Sequence, residues 1–185
     1  MADVLLLPIA DVERPLLDGL RIGIERYFPA RCRILSASLD PEFAFHPERQ
    51  QYHSSELLAR LHRSHHPAGN GSPEGRLLGV TPVDLYIPIL TFVFGEAQVG
   101  DACCLVSTHR LRQEFYGLPP DSDVLAGRLL KESLHELGHT LELTHCDDYR
   151  CAMAPSHSVE WIDLKSYAFC AACRTRIIAA TCACG

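Results

Sequence analysis

The segment HELGHTLELTHC, residues 135–146, contains three histidines, two glutamates and a cysteine. His135 and His139 are four residues apart, so on a helix both imidazoles project from one face and can bind the same zinc ion. Glu136 directly follows the first histidine, as in the HExxH arrangement, in which the carboxylate holds a zinc-bound water and takes its proton as the water attacks a carbonyl. The spacing predicts a hydrolytic zinc site with Glu136 as general base.

His145 strengthens this interpretation. It lies six residues after His139, too far for the same helical face but within reach if the helix ends and the chain turns back. A third imidazole would complete a set of three protein ligands and leave the fourth position open for water or substrate. HExxH on its own is ambiguous, because histidines also occur in this pattern as capping or surface residues of a partly exposed helix.

Two cysteine pairs follow, in the segments CDDYRCAM and FCAAC. Cys146 and Cys151 form a C-x4-C pair, and Cys170 and Cys173 form a C-x2-C pair. Four thiolates can close a tetrahedral structural zinc site whose binding energy helps to fold the segment that carries them. The alternative is buried or disulfide-bonded cysteines, which the absence of an export signal disfavours. We therefore expect two Zn²⁺ ions, with His145 facing the open site and Cys146 the closed one.

These residues together resemble the archaemetzincin family of zinc metallopeptidases. The pattern of that family is HExxHxxGxxHC, then C-x4-C, C-x-M and a later CxxC. The segment LLGVTPVDLYIPILTFVFGEAQVG, residues 77–100, also resembles its strand region, so the resemblance covers at least residues 77–173.

The resemblance implies a metzincin-like α/β fold with a mixed sheet, an active-site helix and a small cysteine-rich, zinc-binding C-terminal subdomain. It implies peptide hydrolysis of the aminopeptidase type or a related type. Met153 becomes the Met-turn methionine, an apolar floor beneath the histidines, although a lone methionine is otherwise an ordinary core residue. The site residues that it implies are the catalytic-zinc ligands His135, His139 and His145, the general base Glu136, and the structural-zinc ligands Cys146, Cys151, Cys170 and Cys173.

Glu142 departs from the family pattern, which has glycine at this position. A glycine at a helix end can adopt the left-handed conformation that lets the chain turn, whereas a residue with a side chain pays about 1–2 kcal/mol there. If the turn does not form, His145 is misplaced, and the protein is a non-catalytic zinc-binding module that keeps only the four-cysteine zinc. A positive φ at Glu142 together with three converging imidazoles would favour the enzyme.

The surrounding elements are predicted from periodicity and from the positions of Gly and Pro. An alternation of strands and helices followed by a long helix and a cysteine-rich tail indicates α/β with a mixed sheet. Residues 92–107 are typical of a hairpin, and the strand near Phe92 and Phe94 could offer an edge to an extended peptide. We expect strands at 3–9, 31–39, 76–88, 89–98 and 101–111, helices at 11–27, 48–63 and about 122–141, and a loop at 65–75.

Length and composition limit the other possibilities. The 185 residues fit a single domain, with an α/β part at 1–145 and a C-terminal part at 146–185. A net charge of −6 and the lack of a basic stripe argue against nucleic acid, including a zinc-finger function for the cysteine pairs. The apolar runs are too short to span a bilayer, and the N-terminus resembles no secretory signal. We expect a cytoplasmic protein with a peptide or small-protein substrate; the oligomeric state is left open.

Several residues that could do chemistry are left without a functional assignment. Tyr167 could polarise a substrate carbonyl, but a core or surface role is the simpler interpretation. Cys182 and Cys184 are expected in a frayed tail. The remaining candidates cluster loosely around one helix and loop, and we do not assign them as ligands: His53, His62, His65 and His66.

Overall fold

A mixed five-stranded sheet is the centre of the fold in the computed structural model, which describes residues 3–65 and 75–182. Its strand order is β2-β1-β5-β8-β7, and all neighbours are parallel except β7 and β8. A second sheet, in the order β3-β4-β6, lies beside it. The strands are β1 Asp3–Pro8, β2 Arg31–Ile34, β3 Phe45–His46, β4 Gln51–His53, β5 Arg76–Thr81, β6 Leu85–Tyr86, β7 Gly95–Ala97 and β8 Cys103–Ser107.

Helices cover both faces of the central sheet. Because successive side chains of a strand point to opposite faces, Val4 and Leu6 of β1 pack with the apolar residues of α1 and α3, while Leu7 packs with those of α2. The helices are α1 Arg14–Tyr27, α2 Ser54–His65, α3 Ser122–Thr140, α4 Val159–Leu164 and α5 Ala171–Cys182. The predicted α/β class with a mixed sheet is confirmed.

The C-terminal segment packs onto α3 rather than standing apart from it. Met153, Ile162 and Ile177 are buried in the same apolar cluster as Leu134 and Leu137 of α3. The division into an α/β part and a C-terminal part therefore stays a prediction about organisation along the chain. No helix among the described residues is both long enough and apolar enough to span a membrane.

Element boundaries differ from the predictions where the backbone turns early. The helix expected at 48–63 begins only at Ser54, because Gln50 has a φ of 54° and residues 51–53 form β4, which pairs with β3 and β6. The helix expected from Asp11 begins at Arg14, so Pro15 lies in its first turn. The strands expected at 31–39, 76–88, 89–98 and 101–111 are all shorter, and the predicted hairpin is confirmed by the antiparallel pairing of β7 with β8.

Some predictions fall at the margins of the described residues. The expected loop at 65–75 lies mostly outside them, as do His66 and Cys184. Cys182, which we expected in a frayed tail, is instead the last residue of α5.

Candidate active site and metal centres

Helix α3 carries the first two histidines, and its N-terminus is fixed by a side chain. The carboxylate of Asp121, the N-cap residue, accepts hydrogen bonds from the backbone N–H groups of Asp123 and Val124, both at 3.0 Å. Leu129 and Leu134 are fully buried and anchor the helix on the sheet. The helix thereby holds its last two turns against β7 and β8.

The three histidines converge on one point. One ring nitrogen each of His135, His139 and His145 lies within 4.8 Å of the other two. The ring centroids are 4.7 Å apart for His135 and His139, 5.2 Å for His135 and His145, and 5.1 Å for His139 and His145. His135 is buried, whereas His145 is exposed at the mouth of the site.

Backbone carbonyls orient two of these rings for a metal. Nδ1–H of His135 donates to the carbonyl oxygen of Ala152 at 2.9 Å, and Nδ1–H of His139 donates to that of Leu143 at 2.7 Å. Both Nε2 atoms then present lone pairs, and they face each other at only 3.1 Å. Two lone pairs at this distance repel unless a cation lies between them, and carbonyl-fixed imidazoles are typical of metal ligands. The donor set therefore fits zinc.

The local environment keeps the histidines neutral, as metal ligands must be. Burial, followed by the charge of Lys165, lowers the pKa of His135 well below its ordinary value. Burial is also the largest cause of the lowered pKa values of His139 and His145.

Glu142 turns the chain after α3 as a glycine would. Its φ is 62°, in the left-handed region. Its N–H donates to the carbonyl of His139 at 3.0 Å, and the N–H of Leu143 donates to that of Gly138 at 3.1 Å, which together form a Schellman motif. Leu143 is fully buried after the turn. The condition set for the enzyme, positive φ with converging imidazoles, is met.

Neighbouring elements supply further donors to this helix end. Gly100 N–H donates to the carbonyl of His139 at 3.0 Å. The guanidinium of Arg76 donates to the carbonyl of Thr140 at 2.5 Å, and that of Arg176 on α5 donates to the carbonyl of Glu142 at 2.8 Å. Cationic donors at a helix C-terminus stabilise the carbonyls that face them.

Glu136 points into a cavity beside the histidines. The cavity has a volume of about 460 Å³, and its wall includes the three histidines, Glu136, Glu132 and residues 90–97. A β-carbon added at Gly95 would lie 2.8 Å from Oε1 of Glu136, so the carboxylate rests against the backbone of β7. Burial, and then the charge of Glu132, raise the pKa of Glu136 well above its ordinary value. A cation on the histidines would oppose this shift.

Met153 packs directly beneath the histidine helix. A β-carbon at Gly138 would collide with the sulfur of Met153, so only glycine allows the methionine to come this close. Glycine in a helix interior costs about 1 kcal/mol relative to alanine. The presence of Gly138 inside the predicted helix is therefore the sequence signal that could have predicted this contact. Met153 is fully buried, in agreement with an apolar floor.

The four paired cysteines form a second cluster. The Sγ atoms of Cys146, Cys151, Cys170 and Cys173 lie within 4.8 Å of one another, and all seven cysteines whose side chains are described are free thiols. Backbone N–H groups of Met153 and Cys170 donate to Sγ of Cys151 at 3.5 and 3.3 Å. These donors lower the pKa of Cys151, but burial has the larger effect and raises it, whereas the N–H of Cys173 is the largest cause of the lowered pKa of Cys170. The cluster fits a closed four-thiolate zinc site.

Two other residues, Lys165 and Tyr167, lie outside both groups of candidate metal ligands. Lys165 was not singled out, yet its Nζ donates to Oε1 of Glu132 at 3.0 Å with both side chains almost fully buried. Tyr167 stacks on Tyr27, with ring centroids 5.2 Å apart, and lines a different cavity from the histidines. The packing role preferred for Tyr167 fits this position.

Comparisons with known proteins agree with these features. The model of Peptidase family M54 matches residues 33–178. An archaemetzincin of Methanocaldococcus jannaschii is 40% identical over 170 residues, which cover 92% of this chain and 89% of that protein. The crystal structure of an archaemetzincin from Methanopyrus kandleri is similar at a TM-score of 0.79 and 34% identity, over 97% of this chain and 96% of that one.

A zinc-dependent peptidase from Methanocorpusculum labreanum is equally similar in structure, with a TM-score of 0.79 and 30% identity over 94% of this chain and 99% of that one. The resemblance seen in the motifs is thus confirmed along nearly the whole chain. The chain belongs to peptidase family M54, the archaemetzincins, and is a zinc metallopeptidase.

Proposed function

We propose that this metallopeptidase hydrolyses peptide bonds at the three-histidine site, with Glu136 as general base. The observation that carries the proposal is the convergence of three imidazole nitrogens beside a buried carboxylate in an open cavity. The non-catalytic module, the alternative raised by Glu142, is not favoured, because the turn forms and His145 reaches the other two ligands.

His135, His139 and His145 would hold the zinc through their converging ring nitrogens. When bound there, zinc supplies Lewis-acid polarisation of a carbonyl and lowers the pKa of a water. Glu136 accepts the proton of the attacking water at its carboxylate and passes it to the amine that leaves. Its position against Gly95 limits how far the carboxylate can move, so the base is oriented before the substrate arrives.

The substrate would lie as an extended peptide along β7. This strand is at the edge of the sheet, and residues 94–97 form part of the cavity wall. Main-chain pairing with an edge strand is a general way to bind a peptide without reading its whole sequence. An aminopeptidase-type specificity is the finer proposal, and it rests on the family resemblance. The carboxylate of Glu96 does not contribute to it, because both of its oxygens accept hydrogen bonds from the hydroxyls of Ser54 and Ser55 on α2.

We further propose that the four cysteines hold a second, structural zinc, which fixes the segment that presents His145. Because such a site needs reduced cysteines, it supports the cytoplasmic location expected from the sequence.

The first test replaces Glu136 by glutamine, which keeps size and polarity but removes the base. We expect at least about a 100-fold loss of kcat on a peptide library with unchanged zinc content. The control is Glu114→Gln, which changes an exposed glutamate outside the cavity wall and should keep full activity. Retained turnover in Glu136→Gln would contradict the role of Glu136.

Comparing the hydrolysis of peptides that have a free amino terminus with that of N-acetylated peptides separates aminopeptidase from endopeptidase action.

A further inference from the structure

A third group of metal-ligating side chains lies on the other face of the central sheet, beneath α2. It consists of His62 in the last turn of α2, Asp101 in the loop before β8, and Cys103, the first residue of β8. One ligand atom from each lies within 4.8 Å of the other two. The histidine is 39–41 positions from the other two in the chain, which is why the spacing gave no signal.

The histidine and the carboxylate are already paired. Nδ1 of His62 lies 2.9 Å from Oδ2 of Asp101, and Oδ1 of Asp101 accepts the N–H of Ala102 at 2.5 Å. The aspartate side chain is only 15% exposed, whereas that of His62 is 47% exposed. A carboxylate this enclosed benefits from a bound cation. The nearby guanidinium of Arg76 contacts the backbone carbonyl of Asp101 at 3.4 Å and also binds the end of α3.

Cys103 adds a soft ligand to this pair. It is fully buried, and burial raises the pKa of its thiol to about 12, so the thiolate forms there only when a cation compensates its charge. Thiolate and imidazole together select zinc or cadmium over magnesium or calcium, and the carboxylate is compatible with zinc.

The site has room for an open fourth position. His62 and Asp101 line a groove of about 500 Å³ between α2 and β7, so water can reach a metal from that side. Ligand atoms of a tetrahedral zinc lie about 3.3–3.8 Å apart. The three residues therefore need to approach by about an ångström, which an exposed histidine at a helix end can do.

We propose that His62, Asp101 and Cys103 form a third metal site, which binds Zn²⁺ with an open position and more weakly than the four-cysteine site does. This site lies outside the peptidase cavity, and the proposal does not rest on the proposed function. Of the unassigned histidines that the structure describes, only His62 belongs to this group.

Equilibrium dialysis against a zinc buffer of fixed free concentration, with elemental mass spectrometry of the reduced full-length protein, tests the proposal. We expect one fewer zinc per chain in Cys103→Ser and in His62→Ala than in the unmodified protein. Cys32→Ser, which alters another buried lone cysteine, and His53→Ala should bind as much zinc as the unmodified protein.

The same variants distinguish a built site from adventitious binding. Loss of zinc in His62→Ala but not in Cys103→Ser would mean adventitious binding to surface histidines and would overturn the proposal. Equal zinc in all proteins would overturn it as well. Near-ultraviolet circular dichroism checks that His62→Ala and Cys103→Ser are both folded. In a cadmium titration, the four-cysteine site contributes a thiolate absorption band in every variant, so a smaller total band in Cys103→Ser than in Cys32→Ser would support the assignment of sulfur as a ligand.

Discussion

Glu142 adopts a backbone conformation that residues with a side chain rarely adopt, and the turn that presents His145 depends on it. Its φ of 62° leaves the β-carbon close to the following carbonyl, at a cost of about 1–2 kcal/mol. The hydrogen bonds from Glu142, Leu143 and Arg176 maintain the turn in spite of that cost. Strain at this one residue is thus part of the folded state.

Replacing Glu142 by glycine should stabilise the protein. Glycine relieves the left-handed strain but adds about 0.4–1 kcal/mol of unfolded-state entropy, so we expect a net gain of about 0.5–1 kcal/mol in the free energy of unfolding. Urea denaturation measures it. Glu142→Ala is the matched control, because it keeps the β-carbon and should give no such gain. A glycine variant no more stable than the alanine variant would show that the turn is unstrained.

At the scale of elements, a buried ion pair joins the active-site helix to the segment after α4. Lys165 Nζ and Glu132 Oε1 are 3.0 Å apart, and the side chains are 1% and 4% exposed. The hydroxyl of Ser156 also donates to Oε1 of Glu132 at 3.0 Å. Since Glu132 precedes His135 by one helical turn, the pair fixes α3 relative to the residues that surround the cysteine cluster.

Removing only one partner of this pair should be costly. Lys165→Met leaves the Glu132 carboxylate buried without its cation, and we expect a loss of about 3–5 kcal/mol in the free energy of unfolding. The double variant Glu132→Leu with Lys165→Met removes both charges and should recover most of that loss. A thermodynamic cycle from urea unfolding of the four proteins measures the coupling. A double variant as unstable as the single one would mean that Lys165 acts through packing alone.

Elements whose signals are local could be predicted closely from the sequence. The N-cap Asp121, the apolar stripe of α3 and the ligand spacing of the cysteine pairs all act within a few residues, and α3 lies within a residue of its expected bounds. Features that need distant partners could not be predicted. The strand at residues 51–53 pairs with the distant β6 as well as with the adjacent β3, and the Lys165–Glu132 contact joins positions 33 apart.

At the scale of the whole molecule, the two candidate zinc sites share a short piece of backbone. Cys151 belongs to the four-cysteine cluster, and the next residue, Ala152, provides the carbonyl that orients His135. Cys146 likewise follows His145 directly, and its N–H donates to the carbonyl of Met153 at 3.0 Å. The histidine site should therefore depend on the cysteine site, whereas the cysteine site has no such dependence on His139.

This asymmetry predicts different zinc losses in two variants. His139→Ala should lower the zinc content by one per chain and leave the fold intact. Cys151→Ser should lower it by nearly two, because the disordered cluster no longer positions Ala152 or His145. Elemental mass spectrometry and circular dichroism of both proteins check the expectation. If Cys151→Ser kept its histidine-site zinc, the two centres would be independent.

The short edge strand β7 determines which conformation a peptide substrate must have in order to bind. β7 contains only three residues, which span about 10 Å, and a peptide paired with it turns alternate side chains toward and away from the cavity. Such a strand offers main-chain hydrogen bonds to any peptide whose own backbone groups are unoccupied. Segments already paired within a folded domain have none to offer. The enzyme should therefore discriminate by conformation more than by sequence, acting on unfolded chain ends and on fragments released by other proteases.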